Sequence, residues 1–265
     1  MNALGALVIF AFTAWAWVCP ECGVDVSGNF CGDCILPAAP PGMVYIPGTD
    51  VVLQGDTVAV GPFFIDSSPV AYRSVLSWLG ENCRDPRVLA SVITGQYSES
   101  GHFLAFTPLV ATATGEYTVS AASLDRPAAG FTWNGASWYL SSRGARLPTL
   151  AEIAAALEHG VIEPFNAYSE MQLYARLMET SLGEVLGAIS RQAMFAGFST
   201  AEERVMWELT HTSFSENPTE AMPYRENPYI TIFKPLPVPV VSGTGREMGY
   251  FNVIFRGALD LPGEQ

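Results

Sequence analysis

Short runs of apolar residues, each ended by glycine, proline or another turn residue, dominate the hydrophobic pattern of this chain. Such runs indicate short strands, which we predict at residues 43–47, 51–54 and 58–65 and again beyond residue 201. Residues 84–117 mix strand and loop signals. Apolar residues at helical spacing predict helices over residues 69–79, 131–141, 149–159 and 170–195.

The longest helical pattern, residues 170–195, carries more apolar residues than a single stripe facing its own domain requires. Methionine and tyrosine are common in protein interfaces, and the stretch includes Tyr174 and Met178. We therefore predict an interface with another protein at these two residues. The alternative is a long helix that neighbouring loops bury on both sides.

The amino-terminal residues 3–18 form an uncharged apolar run. As a helix the run would be about 24 Å long, shorter than the roughly 30 Å hydrocarbon core of a bilayer. We predict that residues 1–18 are an apolar helical membrane anchor. The alternatives are a cleaved signal segment, for which Ala14–Ala16 offers a cleavage site, and a buried helix. Acidic residues follow the run and the first basic residue is Arg73, so the body is expected on the periplasmic or extracellular side.

Four of the five cysteines lie close together as two Cys-x-x-Cys pairs, formed by Cys19, Cys22, Cys31 and Cys34. Two such pairs can bring four thiolates together tetrahedrally around zinc. The spacing predicts a short zinc ribbon over residues 19–36, with these four cysteines as the ligands of a structural zinc ion. Two alternatives remain open, namely a single iron ion bound as in rubredoxins and a pair of disulfide bonds.

The charge of the chain excludes one class of partner. Among 265 residues, 13 are basic and 26 are acidic, which gives a net charge of −13. Such a surface repels phosphate backbones, so nucleic acid is not an expected partner. Charged residues make up only 15% of the chain and the mean hydropathy is +0.23. This balance suggests a surface that other proteins or lipid partly cover.

Several short motifs occur in order between residues 42 and 258. They are Gly42-Met-Val-Tyr-Ile-Pro-Gly48, Phe63-Phe-Ile-Asp66, Thr132-Trp133, Arg146-Leu-Pro-Thr149 with Glu152, Val205-Met-Trp-Glu-Leu-Thr210 and Phe255-Arg-Gly-Ala258. In this order they resemble the motifs of the formylglycine-generating enzyme, or sulfatase-modifying factor, family. The resemblance implies that residues 43–265, which follow a Pro-rich linker at residues 37–42, form an irregular α+β fold related to C-type lectins.

Four of the matched residues have physical roles that can be argued without the resemblance. The indoles of Trp133 and Trp207 are expected to fill the core between a helix and the irregular sheet. Arg146 is expected to tie loop carbonyls together with its five N–H donors. Arg256, near the carboxyl end, is expected to close the domain against the early strands. We therefore predict structural roles for all four residues.

The resemblance also implies a chemistry, and the cysteines bear on whether it can occur. Formylglycine-generating enzymes oxidise a substrate cysteine with two of their own cysteines, which bind copper near the carboxyl end. This chain has no cysteine after Cys83, so neither copper nor this catalysis is expected. The iron-binding histidines of related enzymes are not matched either, because His102, His159 and His211 are scattered. The calcium motif of the family is altered at Arg204–Trp207, which weakens the case for calcium.

Two further features complete the candidate chemistry. Cys83 has no histidine near it in the sequence, so we predict a buried or free thiol rather than a nucleophile. Glu202, Glu203 and Glu208 surround an arginine and are predicted to form a solvated acidic face. Neither feature predicts a catalytic site.

These observations predict a non-catalytic accessory or structural subunit that docks on a membrane-associated protein assembly, for instance photosynthetic or respiratory. Its expected partners are other protein subunits and, through residues 3–18, the membrane. Two alternatives differ in class. One is an exported lectin-like module that binds a glycan or peptide, and the other is a divergent oxidoreductase of the formylglycine-generating type.

Overall fold

The computed structural model describes residues 16–27, 30–34, 36–53, 55–93, 95–97, 103–105, 109–111, 117–163, 206–213, 229–234, 240–247, 249 and 253–261. Tyr174 and Met178 of the predicted interface lie outside these described residues, as do residues 1–15 of the predicted anchor. Within the described part of the chain, no helix is both long and apolar enough to cross a bilayer.

Short strands make up most of the regular structure. In chain order they are β1 (Ala16–Val18), β2 (Asp25–Ser27), β3 (Phe30–Cys31), β4 (Leu36–Pro37), β5 (Met43–Ile46), β6 (Thr49–Leu53), β7 (Asp56–Val60), β8 (Phe63–Asp66), β9 (Gly95–Tyr97), β10 (Phe103–Ala105), β11 (Val110–Ala111), β12 (Tyr117–Thr118), β13 (Trp207–Ser213), β14 (Tyr229–Lys234), β15 (Val240–Gly245), β16 (Val253–Ile254) and β17 (Ala258–Asp260). The strand predicted over residues 58–65 is two strands, because Gly61 and Pro62 interrupt it and Pro62 has no N–H to donate.

The described helices are α1 (Tyr72–Asn82), α2 (Pro86–Val92), α3 (Trp133–Ser142) and α4 (Leu150–Glu158), with a 3-10 turn at Ala121–Ser123. The combination of these helices with sheets confirms the α+β class. The helix predicted from Thr149 is confirmed, since the Thr149 side chain accepts from the Glu152 N–H and the Glu152 carboxylate accepts from the Thr149 N–H. Helix α2 was not predicted, although Asp85 caps it and Pro86 opens it.

Two sheets organise the body. One has the order β17-β8-β5, all antiparallel, and joins the carboxyl-terminal strand to the early strands. The other has the order β15-β14-β13-β16, in which β13 and β16 are parallel. Strand β8 is buried along its whole length. Its Phe64 packs into a large core with helices α1 and α3, whereas Phe63 and Ile65 pack into a smaller core under helix α4.

The amino-terminal end of the described chain differs from the prediction. Residues Ala16–Val18 form strand β1 and pair with strand β2, with Val18 opposite Asp25. They therefore belong to the cysteine-rich ribbon, and the predicted extension of the apolar helix to residue 18 is wrong. Backbone pairing with Asp25–Ser27 satisfies the polar groups of this short apolar stretch without a helix.

Candidate metal centre

The four clustered cysteines lie on two turns that follow short strands. In the first turn the Cys19 N–H donates to the Val24 carbonyl at 2.9 Å, and the Gly23 N–H donates to the Cys19 carbonyl at 2.8 Å. Gly23 has a φ of +69°, a conformation that glycine adopts without strain. The second turn joins β3 to β4; Cys31 is the last residue of β3 and Cys34 lies in the turn. Both turns thus present their sulfur atoms to one point.

The sulfur geometry is that of a four-ligand site. All four side chains are free thiols, and their Sγ atoms lie within 4.8 Å of one another. The Sγ atoms of Cys22 and Cys31 are 3.7 Å apart. A tetrahedron with zinc–sulfur distances of about 2.3 Å has edges of about 3.8 Å, whereas a disulfide requires about 2.05 Å. The cluster can therefore hold a metal ion, and disulfides are not formed in this structure.

The surrounding groups shift the pKa values of the clustered thiols in different directions. Burial raises the pKa of Cys19, but the backbone N–H groups of Cys22 and Glu21 outweigh it and bring the pKa down to about 7. The contact with Cys22, together with burial, raises the pKa of Cys34 to about 12. One sulfur is thus stabilised as a thiolate by the backbone, which is the form that binds metal.

The ribbon is packed on the body. Cys19, Cys31 and Leu36 are buried in the same hydrophobic core as Met43 and Phe64. At the edge of this contact, Tyr45 of strand β5 donates a short hydrogen bond to the Glu21 carboxylate. Ribbon and body are therefore joined by packing as well as by the peptide chain.

The body contains a fully buried ion pair at Arg256. Its guanidinium donates to both Glu208 oxygens at 2.6 and 2.7 Å and to the Asp66 carbonyl at 2.9 Å. The Asp66 carboxylate accepts from the Gly257 N–H at 2.7 Å. Burial raises the pKa of Asp66, against the effect of the Gly257 N–H and of Arg143.

The predicted solvated acidic face is wrong for Glu208, because strand β13 turns this residue inward to Arg256. The other two residues of that prediction, Glu202 and Glu203, lie outside the described residues.

Arg146 forms a second, half-buried network. Its guanidinium contacts both oxygens of Glu152, at 2.6 and 2.8 Å, and the Asp260 carboxylate. Among the described residues the guanidinium donates to a single carbonyl, that of Leu147. The predicted tie between loop carbonyls is thus chiefly a tie between two carboxylates. Hydrogen bonds from Arg146 lower the pKa of Asp260. The sequence offered no signal for Asp260, which pairing of β17 with β8 brings to this place.

The remaining candidate residues are dispersed. Both Trp133 and Trp207 are buried, and the Trp133 Nε1–H donates to the Thr210 carbonyl at 2.9 Å. His211 lies beside Trp133, with ring centroids 6.0 Å apart, and burial lowers its pKa. His159 lies at the exposed end of helix α4, and His102 is outside the described residues. Cys83 is buried, as predicted, and burial raises its pKa to about 11.

The chemistry of the described residues is therefore of two kinds. The ribbon gathers four sulfur ligands at one point. The buried charged side chains of the described body, Asp66, Glu152, Glu208 and Arg256, are all engaged in internal hydrogen bonds or ion pairs. Comparison with known proteins adds no family, since no protein-family model and no curated protein matches this chain.

Proposed function

We propose that the chain is a non-catalytic accessory or structural subunit of a membrane-associated protein assembly, with a structural zinc ion in its ribbon and its body on the exported side of the membrane. The observation that carries the proposal is that the buried charged side chains of the described body form ion pairs and hydrogen bonds with one another or with the backbone. A catalytic acid or base needs a group left available for the substrate. Asp66, Glu208 and Arg256 instead join three distant segments.

Support for zinc comes from the ligand set. Four thiolates suit zinc, and the 3.7 Å separation between the Cys22 and Cys31 sulfur atoms is close to the edge of a zinc–sulfur tetrahedron. Four protein ligands leave no position for a substrate, so the ion would have a structural role. In this role it would fix two short turns that contain little regular structure of their own.

Support for docking comes from exposed apolar side chains. Val52 on strand β6 is 65% exposed and Trp138 on helix α3 is 42% exposed. Trp138 packs edge-to-face on Trp78, with ring centroids 5.0 Å apart, so its position is fixed. The ribbon adds the exposed side chains of Val18 and Phe30. Aromatic side chains that are held rigidly are effective anchors at interfaces.

Co-purification from the native membrane tests the docking part of this proposal. The tagged full chain, extracted in mild detergent, is expected to bring down a defined set of subunits. Val52→Glu combined with Trp138→Glu is expected to reduce their yield, because a charge at either position would have to be desolvated on docking. Ser141→Glu is the matched control, since Ser141 is an exposed residue of helix α3. A folded double variant that retains its subunits would contradict docking through these two side chains.

The predicted interface at Tyr174 and Met178 needs its own variant. Tyr174→Glu with Met178→Glu is expected to leave the chain folded and to abolish co-purification. Unfolding of this variant, measured by circular dichroism, or unchanged co-purification would contradict an interface at these residues.

An activity assay tests the non-catalytic part. The chain is expected neither to bind copper(I) tightly nor to convert a cysteine-containing sulfatase peptide to formylglycine, because its sequence has no cysteine after Cys83. Turnover of the peptide, measured by its mass change, would contradict the proposal.

A further inference from the structure

The four cysteine residues of the ribbon differ in their burial. Cys19 and Cys31 are buried, Cys34 is intermediate, and Cys22 is exposed. An oxidant that arrives from solvent therefore meets Cys22 first. Oxidation of cysteine follows both exposure and thiolate character, and binding to a metal keeps a sulfur in the thiolate form.

One of the sulfur atoms in contact with Cys22 is that of Cys31, in the other half of the ribbon. The Sγ atoms of Cys22 and Cys31 lie 3.7 Å apart, so closure by about 1.6 Å would give a disulfide bond length. The glycines next to these two cysteines, Gly23 and Gly32, have open space where a side chain would be. The 3.7 Å contact thus offers a disulfide between the two turns.

We infer that the ribbon is a reversible redox switch, in which a hydroperoxide converts the four-thiolate site to a disulfide between Cys22 and Cys31. This inference rests on the proposed zinc site. It adds a regulated state to a centre that would otherwise be purely structural.

The chemistry balances with hydrogen peroxide as the oxidant. The Cys22 thiolate attacks one peroxide oxygen; the O–O bond breaks, and Cys22 becomes a sulfenic acid as hydroxide leaves. The Cys31 thiolate then attacks the Cys22 sulfur, the S–S bond forms, and the S–O bond breaks to release a second hydroxide. Two thiolates lose two electrons and the peroxide gains them. Cys19 and Cys34 alone then remain as ligands, so the affinity for zinc falls.

Packing on the body explains why this conversion would be reversible. Cys19 and Cys31 are both buried in the core that the ribbon shares with Met43 and Phe64. The disulfide joins two turns whose cysteine sulfur atoms already lie side by side. The ribbon therefore stays assembled after the metal leaves, and a dithiol reductant restores the four-thiolate site.

The test uses the zinc-loaded full chain and two readouts. Hydrogen peroxide is added in the presence of a chromogenic zinc chelator, and the remaining thiols are then alkylated. Cleavage after Glu21 and before Asp25 and Asp33 places the four cysteines on four different peptides, so mass spectrometry identifies every pairing. We expect one zinc ion released for each Cys22–Cys31 disulfide formed, and recovery of zinc binding after treatment with dithiothreitol. Cys83 serves as the internal control and is expected to stay reduced, because it is buried.

Two variants with equal numbers of ligands separate the roles of the cysteines. Cys22→Ser is expected to slow thiol loss at least about tenfold, because the exposed cysteine is gone. Cys34→Ser also removes one ligand but is expected to retain formation of the Cys22–Cys31 disulfide.

Disulfides within the turns, or unchanged oxidation of Cys22→Ser, would overturn the inference. Absence of zinc from the starting protein would instead contradict the proposed metal. The mass spectrometry would still show which cysteines the peroxide joins.

Discussion

At the scale of single residues, two glycines in helices have opposite surroundings. A Cβ atom added at Gly135 of helix α3 would lie 2.4 Å from the Val92 carbonyl oxygen and 2.7 Å from the Val92 Cα atom. Gly80 of helix α1 has open space at the same position. Gly135 is thus required for the close approach of helices α2 and α3, whereas Gly80 is not.

Alanine at these two positions is expected to change stability in opposite directions. Gly135→Ala should lower the free energy of unfolding by about 3 kcal/mol, because backbone atoms have to move apart. Gly80→Ala should raise it by about 0.5–1 kcal/mol, because alanine restricts the unfolded chain and favours the helix. Urea unfolding of both variants measures these changes. Equal effects of the two substitutions would contradict the packing at Gly135.

The sequence predicted residue types better than residue partners. The burial of Trp133 and Trp207 follows from their size and apolar character, and it could be predicted. The burial of Glu208 could not, because an acidic residue is buried only when a counter-charge is present, and Arg256 lies 48 positions away. The same holds for Asp260, which reaches Arg146 across 114 positions. Long-range pairing, rather than local pattern, decides both cases.

At the scale of elements, the capping box at Thr149 predicted the start of helix α4, whereas the cap at Asp85 went unrecognised and helix α2 was missed. The Thr149–Glu152 capping box and the Thr132 cap both operate in the structure. Helix α1 continues past Gly80 to Asn82, because Leu79 accepts a hydrogen bond from the Cys83 N–H and nothing obliges the helix to end at the glycine. The cysteine spacing predicted the convergence of the ribbon, since the ligands lie close together along the chain.

The capping box of helix α4 can be tested by itself. Thr149→Ala is expected to lower the free energy of unfolding by about 1 kcal/mol, because the Glu152 N–H loses its acceptor. Thr149→Ser keeps a hydroxyl acceptor and should recover most of the loss. Thermal unfolding followed by circular dichroism compares the two variants. A serine variant as unstable as the alanine variant would show that the threonine methyl group, rather than the cap, is responsible.

At the scale of the whole molecule, the buried Arg256 joins strand β13 to the end of strand β8. Arg256→Met is expected to lower the free energy of unfolding by about 3–5 kcal/mol, because it leaves the Glu208 carboxylate buried without a partner. Arg256→Met combined with Glu208→Leu removes both charges and should be more stable than the single variant. Urea unfolding of a double-mutant cycle measures the coupling between the two residues. Additive losses would contradict an ion pair of structural importance.

The pairing of strand β17 with strand β8 has a consequence for the order in which the protein can fold. The Arg256 side chain bonds to the Asp66 carbonyl across 190 positions of sequence. During synthesis, strand β8 leaves the ribosome long before strand β17. Until β17 has been made, Phe63 and Ile65 lack the neighbouring strand that completes their sheet. Contacts of such high sequence separation slow folding and leave apolar strands exposed to other chains meanwhile. Nascent chains of this protein are therefore expected to depend on holding chaperones until Ala258–Asp260 has emerged.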